Sequence, residues 1–177
     1  MIISTAAAKA EIEALAGWTD GKVTRKLQAV EQVIRAYTNN NFQDRAFRVV
    51  ADIRDGAAIF AASIPFKVGN TVEISESLYN SGLYTIKEIT AGGFTVNEDT
   101  IDERQVLITK ISYPADVVDC ALNLMRWEAT NRDKVGVKSE TLSRHSVTYF
   151  DLDTNNQVMG YPVSLLGVLK AYKKARF

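Results

Sequence analysis

Leu83-Tyr84-Thr85-Ile86-Lys87-Glu88-Ile89, then Gly92-Gly93, then Phe94-Thr95-Val96, is the stretch that decides how the middle of this chain folds. Apolar and polar residues alternate, the spacing at which successive side chains fall on opposite faces of a strand. The glycine pair marks a hairpin turn between two such strands. A lone hairpin is marginal in water, so this one needs partners on either side. The sequence supplies them. Phe47-Arg48-Val49-Val50-Ala51-Asp52-Ile53 reads as a strand turned by Asp55-Gly56. Phe66 to Ser75 contains a Gly69-Asn70 turn followed by a strand, Asn80-Ser81-Gly82 is another turn, and Val106 to Ile111 closes the set. Short strands with glycine turns at close spacing predict a small barrel or curled sheet.

On both sides of this region the period changes to that of a helix. Thr5 is placed to cap a first helix over Ala6–Leu15, with Gly17 closing it. Thr19 or Asp20 opens a longer one, in which Val23, Leu27, Val30, Val33, Ile34 and Tyr37 form a stripe, while Arg25, Lys26, Gln28, Glu31, Gln32 and Arg35 fill the other faces. Asn39-Asn40-Asn41 ends it. After the strands, Pro114 suits the first turn of a third helix whose apolar face is Val117, Val118, Ala121, Leu122, Leu124 and Met125. Periodicity disappears from Asp133 to about Gly160, and a last helix is expected from Pro162 to Ala175 with Leu165, Leu166, Leu169 and Tyr172 on one side. The expectation is an α+β fold, a small bundle of about four helices carrying an inserted small antiparallel β-barrel-like module. The bundle takes residues 1–45 and 112–177, and the β module residues 46–111.

Lysine plus arginine and aspartate plus glutamate stand at 21 each, so no overall field draws the chain to nucleic acid or an anionic membrane. The single cysteine, Cys120, excludes an intrachain disulfide and falls in an apolar helical stretch, where a buried inert thiol is expected. The first sixteen residues lack the basic-then-apolar pattern of a signal peptide. No apolar run approaches the ~20 residues that span a bilayer.

Catalytic signatures are sparse. One histidine, His145, excludes a multi-histidine metal site. Ser143, His145 and Asp151 would suffice in kind for a hydrolase triad, but Ser143 lacks the glycine-flanked sharp turn of such nucleophiles. Lys134-Val135-Gly136-Val137-Lys138-Ser139 is a poor fragment of a phosphate loop, because it follows a helix instead of a strand. Two basic clusters, Arg126/Arg132/Lys134/Lys138/Arg144 and Lys170/Lys173/Lys174/Arg176, read first as charge at helix C-termini and as a solvated face. Tyr79, Tyr84 and Phe94 would suffice for an aromatic face on the barrel, but they read first as barrel core. The stretch from Lys138 to Phe150 stands apart. It mixes Leu142, Val147, Tyr149 and Phe150 with Ser, Thr, Arg and His, and Ser146 to Phe150 alternates like an extended strand. Such a segment either covers its own core or adds to a neighbour's sheet or groove.

Four segments together resemble the phage head-tail connector proteins of the portal-adaptor, or head-completion, type. They are Lys26 to Thr38 with Asn41-Phe42; Val68 to Ser75 with Tyr79-Asn80 and Gly82 to Ile86; Tyr113 to Val118; and Asp133 to Tyr149. The resemblance implies a structural virion protein that is not an enzyme and binds no cofactor or metal. It implies a homo-oligomeric ring, dodecameric in the virion although the isolated chain can be monomeric, docked beneath the portal protein at the head-tail junction after assembly in the host cytoplasm. Such a ring extends the DNA channel without reading sequence, touches no membrane, and offers a platform to the next head-completion or tail protein. Shorter family members lack the β module. The contact residues implied are Lys138, Leu142, Arg144, His145, Val147, Tyr149 and Phe150 in the extended segment, and Tyr172, Lys173 and Phe177 at the end. Two other function classes remain alongside it: a nucleic-acid-binding module using the β insertion, disfavoured by its acidic residues, and, more remotely, a hydrolase.

Overall fold

The computed structural model describes residues 1–61, 65–132, 139–142, 145–148 and 156–175. It divides into two compact units, one of Met1–Ile2 with Asn40–Tyr113, the other of Ile3–Asn39 with Pro114–Phe177.

The first unit is a closed antiparallel barrel. Its strands are β1 (Gln43–Arg54), β2 (Ala57–Ile59), β3 (Thr71–Ser75), β4 (Gly82–Thr90), β5 (Gly93–Val96) and β6 (Glu103–Ile111), joined in the order β1-β2-β5-β4-β3-β6. Alternate residues of each strand meet in one core that includes Ile53, Val72, Ile74, Ile86, Phe94 and Ile108. Phe60, Phe66 and Phe94 form an edge-to-face triangle, with centroids 5.2–5.8 Å apart, in which Phe94 is fully buried and Phe60 packs from the margin. Asp55 and Gly56 both have positive φ, 48° and 75°, the pair that a two-residue type I′ hairpin turn demands and that Asp-Gly favours. At Gly93 the barrel closes so tightly that a Cβ would overlap the Ala58 carbonyl oxygen, so glycine is required there. Where β1 and β6 slip register between Ala51 and Ile53, Gln105 turns to a φ of 58° and its N–H donates to Asp52 Oδ1 at 3.1 Å.

The second unit is built on two long helices. The first helix, α1, spans Thr5–Glu11 and is capped by Ser4, whose side chain accepts from the Ala7 N–H, rather than by Thr5. It stops at Ile12, short of Leu15, and a 3₁₀ turn follows over Glu13–Leu15. The second, α2 (Asp20–Thr38), is capped by Thr19 and ends on Asn39 in the left-handed conformation. Val23, Leu27, Val30 and Ile34 are its fully buried stripe; Val33 and Tyr37 are half-buried, and Glu31, expected on the polar face, is buried. The third, α3 (Ala115–Asn131), buries Val117, Cys120, Ala121, Leu124 and Met125, together with Glu128. Beyond it lie two small hairpins, β7 (Ser139–Leu142) with β8 (His145–Thr148), and β9 (Gln157–Val158) with β10 (Tyr161–Pro162).

This architecture overturns the expected bundle of about four helices carrying a small inserted module. The described residues form three α-helices and a six-stranded antiparallel sheet. The fourth helix fails for a visible reason. Residues Val163–Leu166 and Val168–Tyr172 are two 3₁₀ turns parted by Gly167, a residue with little helix preference. Their hydrogen bonds run three residues back, from Lys170 N to Gly167 O and from Lys173 N to Lys170 O. With three residues per turn, Leu166 and Leu169 fall on one line and are both fully buried, while Leu165 is left half-buried. No helix among the described residues is long and apolar enough to cross a membrane.

Candidate interaction surface

The chain leaves α3 at Arg132 and is described continuously again from Asn156, and these two places are tied together. The Arg132 guanidinium donates to Glu128 Oε2 from Nε at 2.8 Å and from Nη2 at 2.7 Å, and to the Gly160 carbonyl from Nη1 at 3.1 Å. It also lies over the rings of Trp127 and Tyr161, 4.7 and 5.0 Å from their centroids. Gly160 serves because Met159 and Gly160 form a left-handed turn, with φ of 53° and 79°, between β9 and β10. Lys26 of α2 supplies a second cation to the other Glu128 oxygen. Burial pushes the Glu128 carboxyl up, but hydrogen bonds from Arg132 and Lys26 outweigh it and hold the pKa below the ordinary carboxylate value. Glu128 is thus a buried carboxylate with two cations, and it clamps α2, α3 and the β9–β10 hairpin.

Between the clamped positions, β7 and β8 pair only with each other among the described strands, with Leu142 opposite His145 and Glu140 opposite Val147. A two-stranded ribbon has two open edges, each a row of backbone donors and acceptors that another chain can pair with. Of the residues expected to make contacts, Leu142, His145 and Val147 belong to this ribbon. Lys138, Arg144, Tyr149, Phe150 and Phe177 lie outside the described residues, as do Ser143 and Asp151. Tyr172 and Lys173 are engaged within their own unit. The Tyr172 hydroxyl is 2.8 Å from each Asp116 carboxylate oxygen, and Lys173 Nζ sits 3.9 Å above the Tyr37 ring. The Asp116 carboxylate raises the pKa of the Tyr172 phenol by holding its proton. Lys174 N donates to Thr38 O at 2.8 Å, and Asn39 Nδ2 donates to Ala175 O at 2.9 Å. The last segment is therefore seated on the ends of α2 and α3. Cys120 is buried, donates to the Leu165 carbonyl at 3.3 Å, and burial raises its pKa to about 11.

The barrel has a second exposed feature, of which the sequence singled out only Tyr79, and assigned it to the core. Its loops at 55–56, 76–81 and 97–102 gather at the end away from Gln43 and Ile111, where the chain enters and leaves. One carboxylate organises that end. Glu103 accepts from the Ser77 hydroxyl at 2.5 Å, from Leu78 N–H at 2.6 Å and from the Asn80 amide at 2.8 Å. These bonds, the Ser77 hydroxyl foremost, pull its pKa down to about 2 against the upward push of burial. Asn80 is buried and bridges the loops by donating to Ile101 O and accepting from Ile101 N–H. What this network holds out is apolar: Leu78 is 85% exposed, Tyr79 66% and Ile101 58%. Tyr79 is thus not a core residue, whereas Phe94 is fully buried and Tyr84 packs against the core. The available signal was Leu78-Tyr79 standing directly before the Asn80-Ser81-Gly82 turn, where polar residues are the rule.

Comparison with protein-family models, with curated proteins and with solved structures finds no match to this chain.

Proposed function

We propose that the chain is a structural subunit of a phage virion, a head-tail connector that assembles as a ring beneath the portal protein. The observation that carries this reading is the β7–β8 ribbon, two strands that among the described residues pair only with each other, set between the Arg132 and Gly160 clamp points. An isolated ribbon is marginal alone and gains most when a second chain completes its sheet. It falls within the segment Asp133 to Tyr149, one of the four that carry the resemblance to connector proteins. In this reading the ring extends the DNA channel and presents a docking face to the next head-completion or tail protein. A neutral net charge suits a channel that passes DNA without holding it. The work is structural and needs no catalytic residue.

The test is co-expression with a portal protein of the same phage, followed by mass measurement and negative-stain imaging. Rings on the portal are expected for the full chain. Removal of residues 139–148 is expected to abolish them while thermal unfolding of the two compact units persists. A full-length chain that stays monomeric with portal present and shows no portal binding would overturn the reading.

A further inference from the structure

We propose that the loop end of the barrel is a preformed docking knob, and that its receptor is the basic final segment of a second copy of this chain. Leu78, Tyr79 and Ile101 are large apolar side chains in solvent, yet their loops are fixed by the Glu103 and Asn80 hydrogen bonds. Order without burial is the mark of a surface prepared for contact, because little conformational freedom remains to be lost on binding. An exposed aromatic and aliphatic pair held on a rigid support has the character of an interface anchor.

The rim of the knob selects the partner. Asp55, Glu76, Glu98, Asp99 and Asp102 surround it, all exposed, against Arg54 and Arg104. The complementary surface is one that is basic with a shallow apolar centre. This chain carries such a surface in Val168–Tyr172 and the described residues 173–175. In that 3₁₀ turn the buried line takes Leu169, and three-residue spacing leaves Val168 and Ala171 together on an outer line. Val168 is 42% exposed, and Lys170 and Lys174 flank it in solvent. Small apolar residues between lysines thus meet large apolar residues within an acidic rim. The two surfaces differ, so the contact is head-to-tail and propagates into a closed ring or a filament according to its rotation. The contact itself does not depend on the connector reading.

Chains with one introduced cysteine test it, buried Cys120 remaining as a silent background. Leu78→Cys chains are mixed with Val168→Cys chains under mild oxidation, and Val68→Cys, exposed at the opposite end of the barrel, replaces Leu78→Cys as the control. The mixed disulfide between positions 78 and 168 is expected to form at least about tenfold faster than that between 68 and 168, through the raised effective concentration of a docked pair. Lys170→Glu with Lys174→Glu in the receiving chain is expected to remove the advantage, and Glu76→Lys with Asp99→Lys in the other chain to restore it. Equal rates for the two pairs, indifference to charge reversal, or faster coupling of Leu78→Cys to itself would overturn the proposal. Ring formation on the portal is read separately, so each idea can fail alone.

Discussion

Arg132 stands one helical turn beyond Glu128 and places both Nε and Nη2 within 2.8 Å of the same carboxylate oxygen. Breaking this pair costs more than breaking an exposed one, because Glu128 is buried and its other oxygen is taken by Lys26. Replacing Glu128 by Ala leaves two cations without their acceptor and frees the β9–β10 hairpin. The cations remain about a third exposed, which softens the loss. A cost of about 1–3 kcal/mol is expected in urea unfolding. Glu128→Gln should fall between the native chain and Glu128→Ala, and faster hydrogen exchange at Gly160 and Tyr161 should accompany either substitution.

Gly93→Ala probes barrel closure. Its added methyl would collide with the backbone of β2, which cannot move without breaking the Ala58–Phe94 register. A loss of about 3 kcal/mol or more is expected, against under about 1 kcal/mol for Gly17→Ala, where nothing crowds the site. Denaturant midpoints of the two variants check this. Comparable costs would mean that the β2–β5 approach is looser than described.

Phe94→Ala removes the fully buried corner of the aromatic triangle. Deletion of a fully buried phenylalanine costs about 3–5 kcal/mol through lost transfer energy and the cavity left behind. Tyr79→Ala, at the exposed tip, should change stability by under about 0.5 kcal/mol. The contrast between two aromatic residues of one module is read from parallel thermal melts.

The Glu103 carboxyl predicts a pH dependence. Its folded pKa of about 2 lies below the ordinary 4.5, so the unfolded chain binds the proton more readily. Its stabilising contribution is complete above pH 4.5 and drains away as the pH falls from 4.5 towards 2. Glu103→Gln should lower stability at neutral pH and flatten the acid limb of the stability curve over that window. Urea midpoints at neutral pH and at pH 3 measure both effects, and an unchanged acid limb would refute the assignment.

Free thiol chemistry offers a last check. Cys120 is buried, and burial with the nearby Asp116 charge lifts its pKa to about 11, so little thiolate exists at neutral pH. An aromatic disulfide reagent should leave the native chain unlabelled and react at once in denaturant.

The strands and the two long helices were legible because their periods are long and clean. Val23, Leu27, Val30 and Ile34 repeat at helical spacing, and Leu83 to Ile89 alternates. The last segment misled because Leu166, Leu169 and Tyr172 suit a three-residue line as well as they suit an α-helical stripe. Only the hydrogen-bond ladder separates the two, and Gly167 was the one local sign of a break. The Glu128 clamp was hidden for a different reason. A glutamate and an arginine four apart on a helix look like an ordinary surface pair, and nothing local says that Trp127 and Tyr161 will enclose them. Glu103 was hidden likewise, since its partners lie some 25 residues earlier at Ser77 to Asn80. The side chains of the 139–148 ribbon, where the sequence placed four of the ten contact residues, lie outside what is described.

Ser112 N donates to Phe42 O at 2.9 Å, and Gln43 faces Ile111 across the β1–β6 seam. The chain therefore leaves the barrel beside the point where it entered. For a gene, that makes residues 43–111 a cassette: the two cut ends already meet, so one recombination event could add or delete the whole barrel without stretching what flanks it. A lineage could try out the acidic, apolar-tipped knob, keep it, exchange it or shed it, while the helical unit goes on folding from its own two stretches of sequence.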